Sequence, residues 1–179
     1  MNRQLKIAKL DAARRQLETA IRLYFAEGDP VSIHTLTAAA HQILADLSKR
    51  EGGSPTITDT LLSFVGSKKR AEARRHIARA ENFFKHADRD SRGVLTFDPG
   101  LTELLLLQAC TRYRELSGEL VPVLAVYQGW MFVGPWAALV DVTPDRTIEG
   151  FRSMYKGATR QSFFAQALPF VSGFAAQKR

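Results

Sequence analysis

Residues 67–93 read SKKRAEARRHIARAENFFKHADRDSRG, and apolar side chains recur in this stretch at helical spacing. When successive residues are wound 100° apart, the small and apolar side chains fall on one face, which we expect to pack against the rest of the protein. The stretch therefore predicts a long amphipathic helix that ends in the polar turn 88–93. The members of the apolar face are Ala73, His76, Ile77, Ala80, Phe83, Phe84 and Ala87.

Beside that face runs a narrow polar strip, called here the basic strip, which consists of Lys68, Arg75, Arg79, Asn82 and His86. Within the strip, arginine, amide and imidazole groups lie close enough together for one partner to contact all three. Guanidinium and ammonium groups are strong hydrogen-bond donors to phosphate and carboxylate. Lys68, Arg75 and Arg79 are therefore candidate anion-binding residues.

Two helices are predicted before this stretch. Apolar residues at helical spacing indicate a first helix over Leu5–Glu27, which Gly28 ends. Asp29-Pro30 offers an N-cap and a proline at the first helical position, so a second helix should follow at once and close at Gly52-Gly53. Because the link is so short, the two helices should lie antiparallel.

The region after the basic strip is more apolar. Asp98-Pro99 repeats the cap-and-proline pattern and predicts a helix that ends near Leu116. The uncharged segment 120–140 has the length of a membrane span, but Pro122 and Gly134-Pro135 interrupt it. We therefore interpret it as a buried central helix that ends near Gly134. A further short helix is expected over 59–65.

The last third of the chain has a weaker pattern. Thr143-Pro144 should open a helix with Ile148, Phe151 and Tyr155 on one side, and residues 160–168 should form a short helix before Pro169. The fold class is predicted to be all-α, as a single domain with a core bundle over 5–142 and a C-terminal arm over 143–179. The sequence leaves open whether the arm packs on the bundle or on a second subunit.

Composition limits the classes of function. The single cysteine, Cys110, lies in an apolar run, so no internal disulfide can form and a reducing, cytoplasmic location is expected. The N-terminus carries charges throughout and has no apolar core of signal-peptide length. The net charge of +7 is concentrated in the first ninety residues, and it permits an anionic partner without requiring one.

No cofactor or metal is predicted. The P-loop and the dinucleotide-binding glycine fingerprint are both missing from the sequence. His34 and His41 are seven residues apart, or about 10 Å along a helix, which is too far for two imidazoles to share one ion. Asp88 and Asp90 match two positions of a calcium loop, but Pro99 stands where that loop needs a glutamate.

The helical hairpin followed by the basic strip resembles the HEPN family of all-α domains, which occurs in bacterial toxins and defence ribonucleases. The family motif is an arginine, four to six residues and then a histidine. Arg79 and His86 are separated by six residues, and Asn82 stands four before the histidine, although Glu81 occupies the place expected for arginine. A second pair, Arg70 and His76, has five intervening residues.

The resemblance implies a homodimer that brings two copies of the motif together over RNA. It implies Arg79, Asn82 and His86 as catalytic residues for attack by a 2′-hydroxyl without a metal. Arginine stabilises phosphate charge and histidine carries protons near neutral pH. The carboxylate of Glu81 would repel phosphate, so an inactive relative that only binds RNA or a partner protein is at least as good an alternative as a nuclease. A non-enzymatic module that docks an acidic protein partner, with no membrane contact, is the second hypothesis.

Overall fold

The computed structural model describes residues 4–50, 75, 78–88, 91–134, 137 and 145–177, and every regular element in those ranges is helical. The all-α fold class is therefore confirmed. Within the described ranges there are seven helices: α1 Lys9–Phe25, α2 Pro30–Arg50, α3 78–85, α4 Gly100–Ser117, α5 Pro122–Val133, α6 Arg146–Tyr155 and α7 Arg160–Gln177. The predicted short helix over 59–65 lies outside the described residues.

The first helix packs against most of the others, since α1 contacts α2, α4, α5 and α7. It begins at Lys9 rather than near Leu5, because Ala8 is extended and no side chain caps the helix. Leu5 and Ile7 are exposed, so neither has a core to hold it in a helical turn. The start of the predicted first helix was therefore about one turn too early.

The link between α1 and α2 follows the predicted chemistry. The carboxylate of Asp29 accepts a hydrogen bond from the backbone N–H of Ser32 at 2.7 Å, and Pro30 is the first residue of α2. At the end of α1, the N–H of Gly28 donates to the carbonyl of Leu23 and the N–H of Glu27 donates to that of Tyr24. These two bonds form a Schellman motif.

The central helices α4 and α5 carry much of the core. Asp98 accepts a hydrogen bond from the N–H of Gly100 at 2.9 Å, and α4 begins there, one residue later than predicted. Helix α5 runs from Pro122 to Val133 as expected and is buried over most of its length. No helix in the described part of the chain is long and apolar enough to span a membrane.

Close packing joins α5, α6 and α7. A Cβ atom at Gly129 would overlap the ring of Phe151, and one at Gly150 would lie 2.7 Å from the ring of Phe170. The two glycines therefore let aromatic rings approach the helix backbones. Phe151 and Phe163, both from the predicted C-terminal arm, belong to the same buried core as the residues of α1 and α5.

Helix α7 corrects one prediction. Residues 160–168 were expected to form a short helix before Pro169, but α7 continues through Pro169 to Gln177. Proline removes one backbone hydrogen bond and crowds the carbonyl four residues earlier, which belongs to Ala165. Both residues are exposed, so water can hydrogen-bond that carbonyl and the helix can continue.

Candidate nucleic-acid interface

The described part of the basic strip lies on α3 and next to it: Arg79 and Asn82 belong to the helix, Arg75 precedes it, and His86 directly follows its last residue. All four of these side chains are exposed. Of these four, Arg75 already interacts with another group of the protein. Lys68 lies outside the described residues, as do Arg70 and His76 of the second predicted motif pair. The strip that the structure describes is therefore centred on Arg79, Asn82 and His86.

The helical geometry brings these three side chains to one side. Asn82 is three residues after Arg79, and His86 is four residues after Asn82, so each pair spans about one turn. The backbone N–H of His86 donates to the carbonyl of Asn82 at 3.0 Å, which extends the helical hydrogen bonding through the histidine. Neither Arg79 nor His86 forms an ion pair with any residue that the structure describes.

Glu81 is the residue that the sequence identified as unfavourable for phosphate. Its carboxylate lies 2.6 Å from Nζ of Lys85, one helical turn away. The two side chains are only partly exposed, at 26% and 35% for Glu81 and Lys85 respectively. The negative charge is thus held against a lysine next to the strip, which reduces its repulsion of an anion at Arg79.

The opposite side of α3 anchors the helix. Ala80 is buried, and the ring of Phe84 makes edge-to-face contacts with Phe97 at 5.1 Å and with His34 at 5.6 Å between centroids. Of the predicted apolar face, Ala80 is buried, Phe83 and Phe84 are half-buried, and Ala87 is exposed just beyond the end of the helix. The other members, Ala73, His76 and Ile77, lie outside the described residues. This anchoring fixes which side of α3 faces the solvent.

His34 and His41 do not form a metal site with each other or with other described residues. Nδ1 of His34 lies 2.9 Å from the hydroxyl oxygen of Thr102, and burial lowers the pKa of His34. In the described ranges no group of three or more His, Cys, Asp or Glu residues could hold a metal ion. Cys110 is a buried free thiol whose pKa is raised by burial, as expected for a small core residue.

The sequence did not reveal a cavity of about 390 Å³ where the end of α1 meets the starts of α2, α4 and α7. Tyr24 forms part of its wall, and the guanidinium of Arg160 lies 4.1 Å from the centre of the Tyr24 ring. Arg160 also donates to the carboxylate of Glu103 at 3.1 Å. The paired Asp29-Pro30 and Asp98-Pro99 signals were the only sequence features near it, and they indicated helix starts rather than a cavity.

Comparisons with protein-family models, with curated proteins and with solved structures found no match to this chain. The resemblance to HEPN domains therefore stays a prediction.

Proposed function

We propose that the chain binds single-stranded RNA through Arg79, Asn82 and His86, in the way that the HEPN resemblance implies. The observation that carries the proposal is the exposure of these three side chains on one side of α3 while Glu81 is paired with Lys85. Guanidinium groups bind phosphate oxygens, amides read base edges and imidazole rings stack on unpaired bases. This combination suits an unpaired strand better than a duplex.

The charge of the chain supports an anionic ligand. The net charge is +7, and sixteen of the 25 Lys and Arg residues lie in the first ninety positions, which include the basic strip. Such a distribution raises the local concentration of a polyanion and its association rate. The affinity should therefore fall steeply as the salt concentration rises.

The test is fluorescence anisotropy with a labelled 12-nucleotide RNA at about 50 and 200 mM salt. The variant R79A should lower the affinity for RNA. It should also reduce the slope of log affinity against log salt concentration by about 1, the value for one phosphate contact. The matched control is R152A, because Arg152 is exposed on α6, which packs on α5 and α7. Equal affinities for R79A and R152A, or no binding at low salt, would contradict the proposal.

Cleavage is measured on the same RNA. If His86 carries the proton, the 2′-hydroxyl oxygen attacks the adjacent phosphorus, the 5′-oxygen leaves with a proton, and a 2′,3′-cyclic phosphate forms. H86A would then abolish the product while R79A would lower both binding and product. RNA binding without this product would assign the chain to the binding-only relatives. A homodimer is part of the proposal and is checked by light scattering with and without RNA.

A second candidate function, docking of an acidic protein, is favoured by one observation. Val94 is 90% exposed and lies nine residues after the end of α3, so it offers an apolar contact in the segment that follows the basic strip. Exposed large apolar residues beside charged ones are common at protein interfaces. V94S should weaken capture of an acidic partner and leave the affinity for RNA unchanged.

A further inference from the structure

The cavity beside Tyr24 is separate from the basic strip and has the size of a small-molecule site. Its volume of about 390 Å³ lies within the usual range for ligand pockets, and its walls are mostly apolar, with Ile33 and Leu106 among them. A body of about a dozen non-hydrogen atoms would fill such a space. The lining also holds three charged side chains, namely Glu27, Glu103 and Arg160.

Two of these charges are used within the protein. The carboxylate of Glu103 accepts a hydrogen bond from Arg160. The pKa of Tyr24 is raised mainly by burial, and the charge of Glu103 raises it further. The hydroxyl of Tyr24 in turn accepts a hydrogen bond from the indole N–H of Trp130 at 3.1 Å. Tyr24, Glu103 and Arg160 thus form a connected polar wall of the cavity, which the Tyr24–Trp130 hydrogen bond joins to the core, and the charges of Glu103 and Arg160 cancel within it.

Glu27 is the remaining charge. It is exposed and makes no ion pair with a described residue, and its φ angle of 54° is the one positive φ outside glycine in the described ranges. Glycine is the usual residue at this position of a Schellman motif, because a Cβ makes the left-handed conformation unfavourable. A glutamate thus lines the cavity at a backbone position where glycine would be easier to accommodate.

The charge balance around the cavity favours a cation. The lining holds two carboxylates and one guanidinium, which leaves one negative charge. The helix N-termini at α2 and α4 could attract an anion, but the carboxylates of Asp29 and Asp98 already accept hydrogen bonds from N–H groups there. An anionic ligand would therefore find no uncompensated positive side chain among the residues that line this cavity.

We propose that this cavity binds a small organic cation, an amine carried on an apolar or aromatic body. Glu27 pairs with the ammonium group at the mouth, and the apolar body packs against Ile33 and Leu106. This site does not depend on RNA binding, because none of its lining residues belongs to α3 or the basic strip.

The test uses three probes with one aromatic body and different charge: tryptamine, tryptophol and indole-3-acetate, titrated into the full chain by calorimetry. Tryptamine should bind about fivefold more tightly than neutral tryptophol, the difference expected for one partly screened ion pair. Indole-3-acetate should bind most weakly. Binding of indole-3-acetate as tight as that of tryptamine would overturn the proposal, as would no binding of tryptamine, phenethylamine or cyclohexylmethylamine up to about 5 mM.

Two variants of the same residue separate binding from folding. E27Q removes the charge and should lower the affinity for tryptamine about fivefold, to that of tryptophol. E27G removes the carboxylate and also the unfavourable backbone conformation, so it should lose the same affinity while raising the midpoint of urea unfolding. Unchanged tryptamine affinity in both variants would overturn the role of Glu27, and normal RNA binding by both would show that the two sites are independent.

Discussion

Nδ1 of His34 lies 2.9 Å from the hydroxyl oxygen of Thr102, although the two residues are 68 positions apart in sequence. The imidazole ring also contacts Phe84 and Phe97 edge-to-face, with centroids 5.6 and 5.2 Å away. One buried side chain thus connects α2, α3 and α4. The orientation of the basic strip depends on this connection, because Phe84 belongs to the same short helix.

The first prediction concerns pH. Burial lowers the pKa of His34 below its usual value near 6.5; the charge of Glu81 has a smaller effect that raises this pKa, and the charge of Lys85 lowers it further. The unfolded chain therefore binds a proton at a higher pH than the folded chain does. The free energy of unfolding should fall as the pH decreases below about 6.5. Urea unfolding at pH 7, 6 and 5 measures this fall.

The matched variants for that experiment are H34Q and H86Q. H34Q should have a lower free energy of unfolding than the wild type at pH 7, and that free energy should fall less between pH 7 and pH 5. H86Q, at an exposed position, should follow the wild-type curve. An unchanged pH dependence in H34Q would show that another group causes the loss.

The second prediction concerns the polar wall of the cavity. Y24F removes the acceptor for the Trp130 indole N–H, which is buried, so the free energy of unfolding should fall by about 1–3 kcal/mol. Y113F is the control. The Tyr113 hydroxyl donates to Glu119, which is exposed and can be solvated by water, so the loss should stay below about 1 kcal/mol.

The third prediction concerns the approach of α6 to α5. G129A places a methyl group in the position of the Phe151 ring, and we expect a loss of about 1–3 kcal/mol in the free energy of unfolding. The same change at Gly173 in α7 meets no atom within 4 Å and should stabilise the helix by about 0.5–1 kcal/mol. Thermal or urea unfolding of the two variants distinguishes crowding from helix propensity.

The fourth prediction concerns Glu81. E81Q releases Lys85 from its ion pair and removes a negative charge beside the basic strip, so the affinity for RNA should rise about two- to fivefold at low salt. The double variant E81Q/K85Q removes both charges and should bind RNA as the wild type does. Stability should change by less than about 1 kcal/mol in either protein, because the pair is partly exposed. A fall in the affinity of E81Q would contradict the proposed RNA surface.

The fifth prediction concerns Cys110. Its thiol is fully buried and burial raises its pKa, so a thiol reagent should not react with the folded protein at pH 8. The rate of labelling in urea should follow global unfolding, since α4 lies in the core. Fast labelling in the absence of urea would show that α4 opens locally.

Local patterns predicted the parts of the fold that depend on nearby residues. Helix α5 begins at Pro122 because a proline suits the first turn, and it ends just before Gly134 because a glycine interrupts the apolar run. Both effects act within one or two turns. The exposure of Arg79, Asn82 and His86 follows from the helical repeat once Ala80 is buried and Phe84 is packed against Phe97. The continuation of α7 past Pro169 depends on solvent around Ala165, which no local pattern contains.

The cavity illustrates what the sequence could not show. Arg160 contacts Tyr24 and Glu103, which lie on different helices far from it in sequence, so no spacing rule joins the three. The Glu81 carboxylate has cationic neighbours on two sides of the same helix, namely Lys85 and the basic strip. The sequence alone does not predict with which of them it forms an ion pair. The left-handed conformation of Glu27 was also missed, because the nearby Gly28 suggested that glycine would take that position.

The hydrogen bond between Tyr24 and Trp130 spans 106 positions, and this has a consequence during translation. At about 5–20 residues per second, a ribosome needs about 5–20 s to add the tryptophan after the tyrosine. The α1–α2 hairpin can form in that interval, but its inner surface has to wait for α5 and α7. The nascent chain should therefore be most prone to aggregate, and most dependent on chaperones, before its second half is synthesised.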